Sequence, residues 1–131
     1  MARVKGKFHV TDWKEETIEE LAGKGKVTRA HITQDYTGGL EGHGAWDLLM
    51  CYRDDGTAVY TGYMKFDGGV GEKKGVLVMK SEGTFDGGAA RTKMSVVPHA
   101  GSGGLEAFIG KGSSVAPHGS EGTYDLELTR A

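Results

Sequence analysis

The chain predicts an all-β fold, a closed eight-stranded antiparallel meander barrel, on three observations. Apolar and polar residues alternate in eight separate runs, which gives each run one face for a core and one for water. Glycine is abundant, 23 of 131 residues beside only two prolines, as suits a chain of tight turns and close backbone approaches. Asp-Gly and Gly-Gly pairs stand between the runs, where glycine accepts the positive φ of a hairpin turn at no steric cost. Closing such a meander removes both exposed sheet edges. The length suits one domain over residues 1–131 that buries its own core without staples.

The runs are RVKGKFHV (3–10), KVTRAHITQDY (26–36), LEGHGAWDLLMCYR (40–53), TAVYTGYMKF (57–66), KGVLVMKSEGTF (74–85), ARTKMSVV (90–97), EAFIGKGSSV (106–115) and GTYDLELT (122–129). Turns are expected at Thr37-Gly38-Gly39, Asp54-Asp55-Gly56, Asp67-Gly68-Gly69, Asp86-Gly87-Gly88 and Pro117-His118-Gly119. FDGG occurs at 66–69 and again at 85–88, and reads as one hairpin device used twice. The segment 11–26 differs. Asp12 with Glu15 three residues on resembles a capping box, Ile18 and Leu21 follow, and Gly23 offers a stop. One short helix or an irregular excursion is expected near residues 12–24.

The glycine-rich stretch 99–122 raises the question of a phosphate loop. A P-loop needs four residues between its glycines and a Ser or Thr after the lysine. Here five residues separate Gly104 from Gly110, and Gly112 follows Lys111. No strand–loop–helix pattern surrounds the site, so these glycines serve backbone packing.

The face assigned inward carries Phe8, Val10, Ala30, Ile32, Trp46, Leu48, Met50, Tyr60, Met64, Phe66, Leu77, Met79, Phe85, Met94, Val96, Phe108, Tyr124 and Leu126. Lys5, Lys7, Arg29, Lys65, Lys80, Arg91, Lys93, Lys111, Asp125 and Glu127 fall outward. This predicts an apolar, methionine-rich interior with polar handles at Gln34, Trp46, Tyr60, Ser81, Thr92 and Tyr124. An eight-stranded barrel is just wide enough to fill with side chains or to hold one small molecule. The interior expected to bind a hydrophobic small molecule is formed by Trp46, Tyr60, Met64, Ser81, Thr92, Met94, Phe108 and Tyr124. Leu49, Cys51 and Tyr63 fall on the outer face, where apolar groups suggest a homodimer contact.

The charges nearly balance, 16 basic against 18 acidic for a net of −2, which supplies no reason to expect nucleic acid or an anionic membrane as partner. No run approaches the ~20 apolar residues of a membrane span, and no leader-like apolar stretch opens the chain. With Cys51 as its one cysteine, the protein is expected in the cytoplasm without an intrachain disulfide. No metal or other cofactor is expected. His9, His31, His43, His99 and His118 form no His-x-His or His-x₃-His pair with a carboxylate on one face. His99 and His118 each follow a proline and would meet only if both turns lay at one barrel mouth. No Gly-x-Ser-x-Gly elbow accompanies Ser113 and Ser114, and Cys51 lacks a setting that would lower its pKa. One acid–base cluster is conceivable: Glu41, His43 and Asp47 share a face, and a bulge in the 40–53 run would turn all three inward.

The segments YTGGLEGHG, LLMCYRDDGTAVYTGY, SEGTFDGG, SVVPHAGSGGLEAFIGKG and VAPHGSEGTYDLEL resemble, in order and spacing, the bacterial proteins grouped as domain of unknown function 3224. The resemblance covers nearly the whole chain. It implies a closed eight-stranded meander similar to the allene oxide cyclase barrel, usually dimeric, a barrel type shared with dirigent proteins and some polyketide cyclases. Relatives often carry a glutamate where this chain has Met64 and a Gln-His pair where it has Lys80-Ser81. Those differences make the interior less polar. Three functions follow as expectations: a barrel that holds an apolar molecule and, if it is an enzyme, cyclises it by confinement; a non-catalytic binding or structural barrel; and acid–base chemistry through Glu41, His43 and Asp47.

Overall fold

A computed structural model describes residues 2–118 and 121–130, all of them in strands, turns or irregular links. The strands are β1 (Ala2–Glu20), β2 (Lys26–Gly38), β3 (Leu40–Tyr52), β4 (Ala58–Val70), β5 (Lys73–Phe85), β6 (Ala89–Val96), β7 (Ser102–Gly103), β8 (Phe108–Pro117) and β9 (Gly122–Arg130). Eight of them pair antiparallel in the order β4-β3-β2-β1-β9-β8-β6-β5, and β4 pairs with β5 to close the barrel. The two-residue β7 adds to β5 at Gly75 and Val76. No helix is long and apolar enough to cross a membrane.

The interior follows the alternation. Phe66, Ile32, Met64, Leu77, Met79 and Leu126 are all buried, and Lys65, Lys80, Arg91, Lys93 and Lys111 all face solvent. Register explains the consistency. β3 pairs with β4 from Leu40↔Val70 to Tyr52↔Ala58 without a shift, so no slip exchanges the two faces.

Three expectations are corrected. Residues 12–20 form neither a helix nor an irregular excursion; they continue β1, paired with β2 from Lys26 to Thr33. Two register shifts, at Val10/Asp12 and Thr17/Glu19, absorb the extra residues. A bulge breaks period-2 alternation, which is why a strand here reads as something else. Asp67-Gly68-Gly69 is not a turn: all three residues pair with β5, and the chain reverses at Gly71–Glu72, where Gly71 takes φ 61°. The second FDGG does turn, with Asp86 Oδ1 accepting from the N–H groups of Gly88 (2.8 Å) and Ala89 (2.9 Å). Val10, assigned to the interior, is 46% exposed. Gly119, from the fifth expected turn, lies outside the described residues.

The two barrel ends differ. At one end, formed by the β2–β3 and β4–β5 turns and the link 97–107, Leu40 and Leu105 are fully buried near Phe66, Leu77 and Leu128. The Tyr124 hydroxyl accepts from the Leu40 N–H (2.7 Å) and donates to the Thr37 carbonyl (2.6 Å), tying down the β2–β3 turn. The glycine-rich link crosses this end, with the Gly104 N–H on the Lys74 carbonyl at 2.7 Å. A Cβ at Gly101 would overlap the Val76 carbonyl, so glycine is required for the link to lie this close. Of the stretch tested for a phosphate loop, the part before β8 is a plug that buries Leu105, and the part from Phe108 to Pro117 is β8 itself.

Candidate functional site

The opposite end is open, and the strand ends explain why. The last pair between β1 and β9 is Phe8↔Gly122, yet β1 runs on to Glu20. β8 stops at Pro117, where its other edge pairs with Ala89 of β6. From Val10 onward β1 therefore has β2 on one edge and no strand on the other among the described residues. A pocket of about 740 Å³ lies at this gap in the wall. Its inner wall is Phe8, Ile32, Trp46, Leu48, Met50 and Tyr60, with Ala90 and Ala116 on the far side. Val10, Trp13, Tyr52, Phe85, Pro117, His118 and Glu121 form the mouth, with His9 beside them.

Side-chain size sets the empty space. Ala90 and Ala116 are partners across β6 and β8, so two small residues face the aromatic wall at one level. Below them, Phe8 stacks on Tyr36 at 5.3 Å between ring centroids and tilts against Trp46 at 5.8 Å. Tyr36 meets Phe66 edge-on at 5.7 Å. This aromatic tier is the pocket floor and the roof of the packed half of the barrel.

The apolar walls leave some polar groups unpaired. Trp46 Nε1, the Tyr36 hydroxyl, Gln34 Oε1, Ser81 Oγ and Ser114 Oγ are buried with no hydrogen-bond partner in the protein. An unsatisfied buried group of this kind costs about 1–3 kcal/mol. Burial pushes the Tyr36 hydroxyl well above the ordinary tyrosine range, and the nearby Trp46 indole offsets part of that. Tyr60 is raised by burial too, while its hydroxyl shares a 2.7 Å hydrogen bond with Thr92.

At the mouth, one carboxylate organises its neighbours. β1 residues paired with inward residues of β2 share their face: Trp13 is opposite Ile32 and Glu15 opposite Ala30. Glu15 Oε1 accepts from Trp13 Nε1 at 2.9 Å. Its Oε2 accepts from the Thr28 hydroxyl at 2.5 Å and the Tyr52 hydroxyl at 2.7 Å. Partial burial pushes the Glu15 carboxyl up, but these three donors, with Lys26, outweigh it and hold the group below the ordinary glutamate range. Tyr52 moves the other way, raised by burial and by its bond to the carboxylate.

A pH dependence follows. A depressed folded-state pKa contributes stability above the ordinary glutamate range, and that stability is lost as pH falls through the depressed value. In a Trp46→Phe background, acidification below the ordinary glutamate range is expected to change Trp13 fluorescence as its partner protonates. The same titration of Glu15→Gln should lack that step.

Of the interior residues expected to bind a ligand, Trp46 and Tyr60 line this pocket. Met64 and Thr92 are buried directly behind them, Met64 as the cross-strand partner of Trp46 and Thr92 on the Tyr60 hydroxyl, and Ser81, Met94, Phe108 and Tyr124 are buried without lining the pocket. Glu41, His43 and Asp47 project from the outer surface of β3, since the bulge that would turn them inward is not there. His43 Nδ1 meets Asp35 Oδ1 at 2.6 Å, His9 Nε2 lies 3.5 Å from Asp35 Oδ2, and His31 Nδ1 meets Asp47 Oδ1 at 2.6 Å, all exposed. Among the described residues no group of three or more His, Cys, Asp or Glu side chains is placed to hold a metal ion. His99 and His118 sit at opposite barrel ends, past the end of β6 and past the end of β8. Leu49, Val59 and Tyr63 stand exposed on the outer surface of β3 and β4, with Cys51 half-buried beside them.

Trp13, Glu15, Tyr52, His118 and Tyr36 complete the site beyond the inward face read from the sequence. Tyr36 had a usable signal, lying two and four residues from the inward Gln34 and Ile32.

A closed antiparallel barrel, packed at one end and opening through its wall at the other, defines the class of protein. The chain belongs to the family described as protein of unknown function (DUF3224), whose model matches residues 4–128. A crystal structure of a DUF3224-family protein of unknown function from Shewanella oneidensis MR-1 is similar, with a TM-score of 0.83 at 23% identity, covering 100% of this chain and 98% of that one. At that identity the likeness concerns the fold. Comparison with curated proteins yields no match.

Proposed function

We propose that this barrel binds an apolar small molecule, admitted where β1 runs on past its last pairing with β9 and β8 ends at Pro117. The observation that carries the reading is the 740 Å³ pocket that extends from that gap to Trp46 and Met50. Pockets of a few hundred to a thousand Å³ with mainly apolar walls and a few polar groups are the usual form of small-molecule sites. The lining supports the reading, because Phe8, Ile32, Trp46, Leu48 and Met50 make its inner wall almost wholly apolar.

The imidazoles of His9 and His118 and the carboxylate of Glu121 lie at the mouth; the inner wall offers the Tyr60 hydroxyl and the Trp46 indole. Any turnover inside would therefore rest on confinement of the guest in a reactive conformer. Glu41, His43 and Asp47 face away from the pocket, which weighs against chemistry through them.

Both tryptophans of the chain line the pocket, so intrinsic fluorescence reports on it directly. Titration with 1-octanol is expected to give a saturable change. A change no different from that of free tryptophan at the same concentrations would refute the reading.

A further inference from the structure

Aromatic side chains are concentrated on this pocket. The chain has four Phe, five Tyr and two Trp, and six of these eleven line it: Phe8, Trp13, Trp46, Tyr52, Tyr60 and Phe85. Met50 joins them, and a thioether also packs favourably against an aromatic ring. Four of the six rings are held in place. Trp13 Nε1 and the Tyr52 hydroxyl donate to Glu15 at 2.9 and 2.7 Å. The Tyr60 hydroxyl is paired with Thr92 at 2.7 Å, and its ring sits against Gly83, where a Cβ would leave it no room. Phe8 stacks on Tyr36 at 5.3 Å and sits against Gly122 in the same way. Across the pocket Ala90 and Ala116, partners between β6 and β8, carry only a methyl group each. The inner wall has no charged side chain.

Stacked and edge-to-face ring pairs gain more than the apolar area they bury, because a ring face is negative and a ring edge positive. Rings already fixed lose no side-chain freedom when a guest arrives, and a planar guest has none of its own to lose. An alkyl chain forms no ring pairs and gives up its rotamers in a space of fixed shape. Rings stand at the inner wall and again at the mouth, so a guest that meets both sets is larger than one ring. We propose that the molecule held in this pocket is a planar aromatic compound of two or more fused rings, uncharged over the part that enters, reaching from Trp46 and Tyr60 to the mouth rings Trp13 and Phe85. The proposal rests on the reading of the pocket as a ligand site and adds the class of guest. It separates this barrel from a carrier of fatty acids or other alkyl chains.

The test compares 2-naphthol with decahydro-2-naphthol by isothermal titration calorimetry near neutral pH, with 1-octanol as the reference guest. The two naphthalene alcohols are uncharged there and share one carbon skeleton and one hydroxyl position, so ring pairing is what distinguishes them. 2-Naphthol is expected to bind about tenfold more tightly, the increment of about two ring pairs. Trp13→Leu and Phe85→Leu each keep an apolar side chain and remove one mouth ring, and each should lower that ratio to about threefold; Phe85→Leu covers the case in which Trp13→Leu disturbs β1. A ratio that stays near tenfold in both variants would overturn the placement of the guest against both sets of rings. Equal binding of the two alcohols, tighter binding of the saturated one, or no saturation by 2-naphthol where 1-octanol saturates would overturn the ring preference and leave the pocket standing. Saturation by none of the three would remove the pocket reading and this proposal together.

Discussion

Ala116→Phe is expected to abolish ligand binding, lowering affinity by at least about 100-fold, while the barrel stays folded. Ala116 is half-buried, lines the pocket and pairs with Ala90, so a ring there points into the space facing Trp46 and Met50. Adding bulk to a packed core typically costs about 1–3 kcal/mol. Adding it to an open pocket fills volume that a guest would otherwise occupy, so far-UV circular dichroism and the melting temperature should change little. Fluorescence titration with 1-octanol gives the affinity. Wild-type affinity in Ala116→Phe would mean that the guest binds elsewhere. A collapsed melting temperature would mean that this space is already filled.

Phe66→Ala is expected to show the opposite pattern, with a stability loss of about 3–5 kcal/mol. Phe66 is fully buried beneath the Phe8–Tyr36–Trp46 tier and meets Tyr36 edge-on. Its ring fills space in the packed half, where Leu40, Leu77 and Leu105 leave little room to relax. Phe85 is a control of the same chemistry at the pocket mouth, half-buried against the core. Phe85→Ala should cost about 1 kcal/mol, because a partly exposed ring loses less transfer free energy on truncation. Urea unfolding of both variants measures the contrast. Equal losses would show that the barrel is packed alike at both ends.

Much of the fold was legible because period-2 alternation is a direct record of the two barrel faces. Lys80, Arg91 and Lys93 on one side and Met79, Thr92 and Met94 on the other are set by strand geometry alone. β1 beyond Val10 was not legible, for an equally physical reason. Its two bulges shift the inward face by a residue each time, and the acidic spacing of Asp12 and Glu15 imitates a helix cap. With that strand went the mouth, since Trp13 and Glu15 are read correctly only in register with Ile32 and Ala30. FDGG misled because Gly68 allows two strands to approach closely just as readily as Gly87 allows a turn; a Cβ at Gly68 would overlap the Glu41 carbonyl.

The site was legible only in part. Alternation identifies which residues face inward, and Trp46 and Tyr60 were found that way. It does not say at which height of the barrel each one sits, which depends on strand stagger. Met94 and Phe108 therefore looked equivalent to Trp46 although they do not line the pocket. His118 and Glu121 flank the ends of β8 and β9, so their approach to the pocket depends on where β8 stops and β9 begins.

The methionine methyl groups allow the most direct test of where a guest sits. Met50 lines the pocket, whereas Met79 and Met94 are buried in the remainder of the barrel. In a methyl-labelled sample titrated with 1-octanol, the Met50 methyl resonance should shift saturably while those of Met79 and Met94 stay close to their starting positions. A Met50 resonance that does not move as octanol is added, or saturable shifts at Met79 and Met94 without one at Met50, would contradict a ligand site at the open end of this barrel.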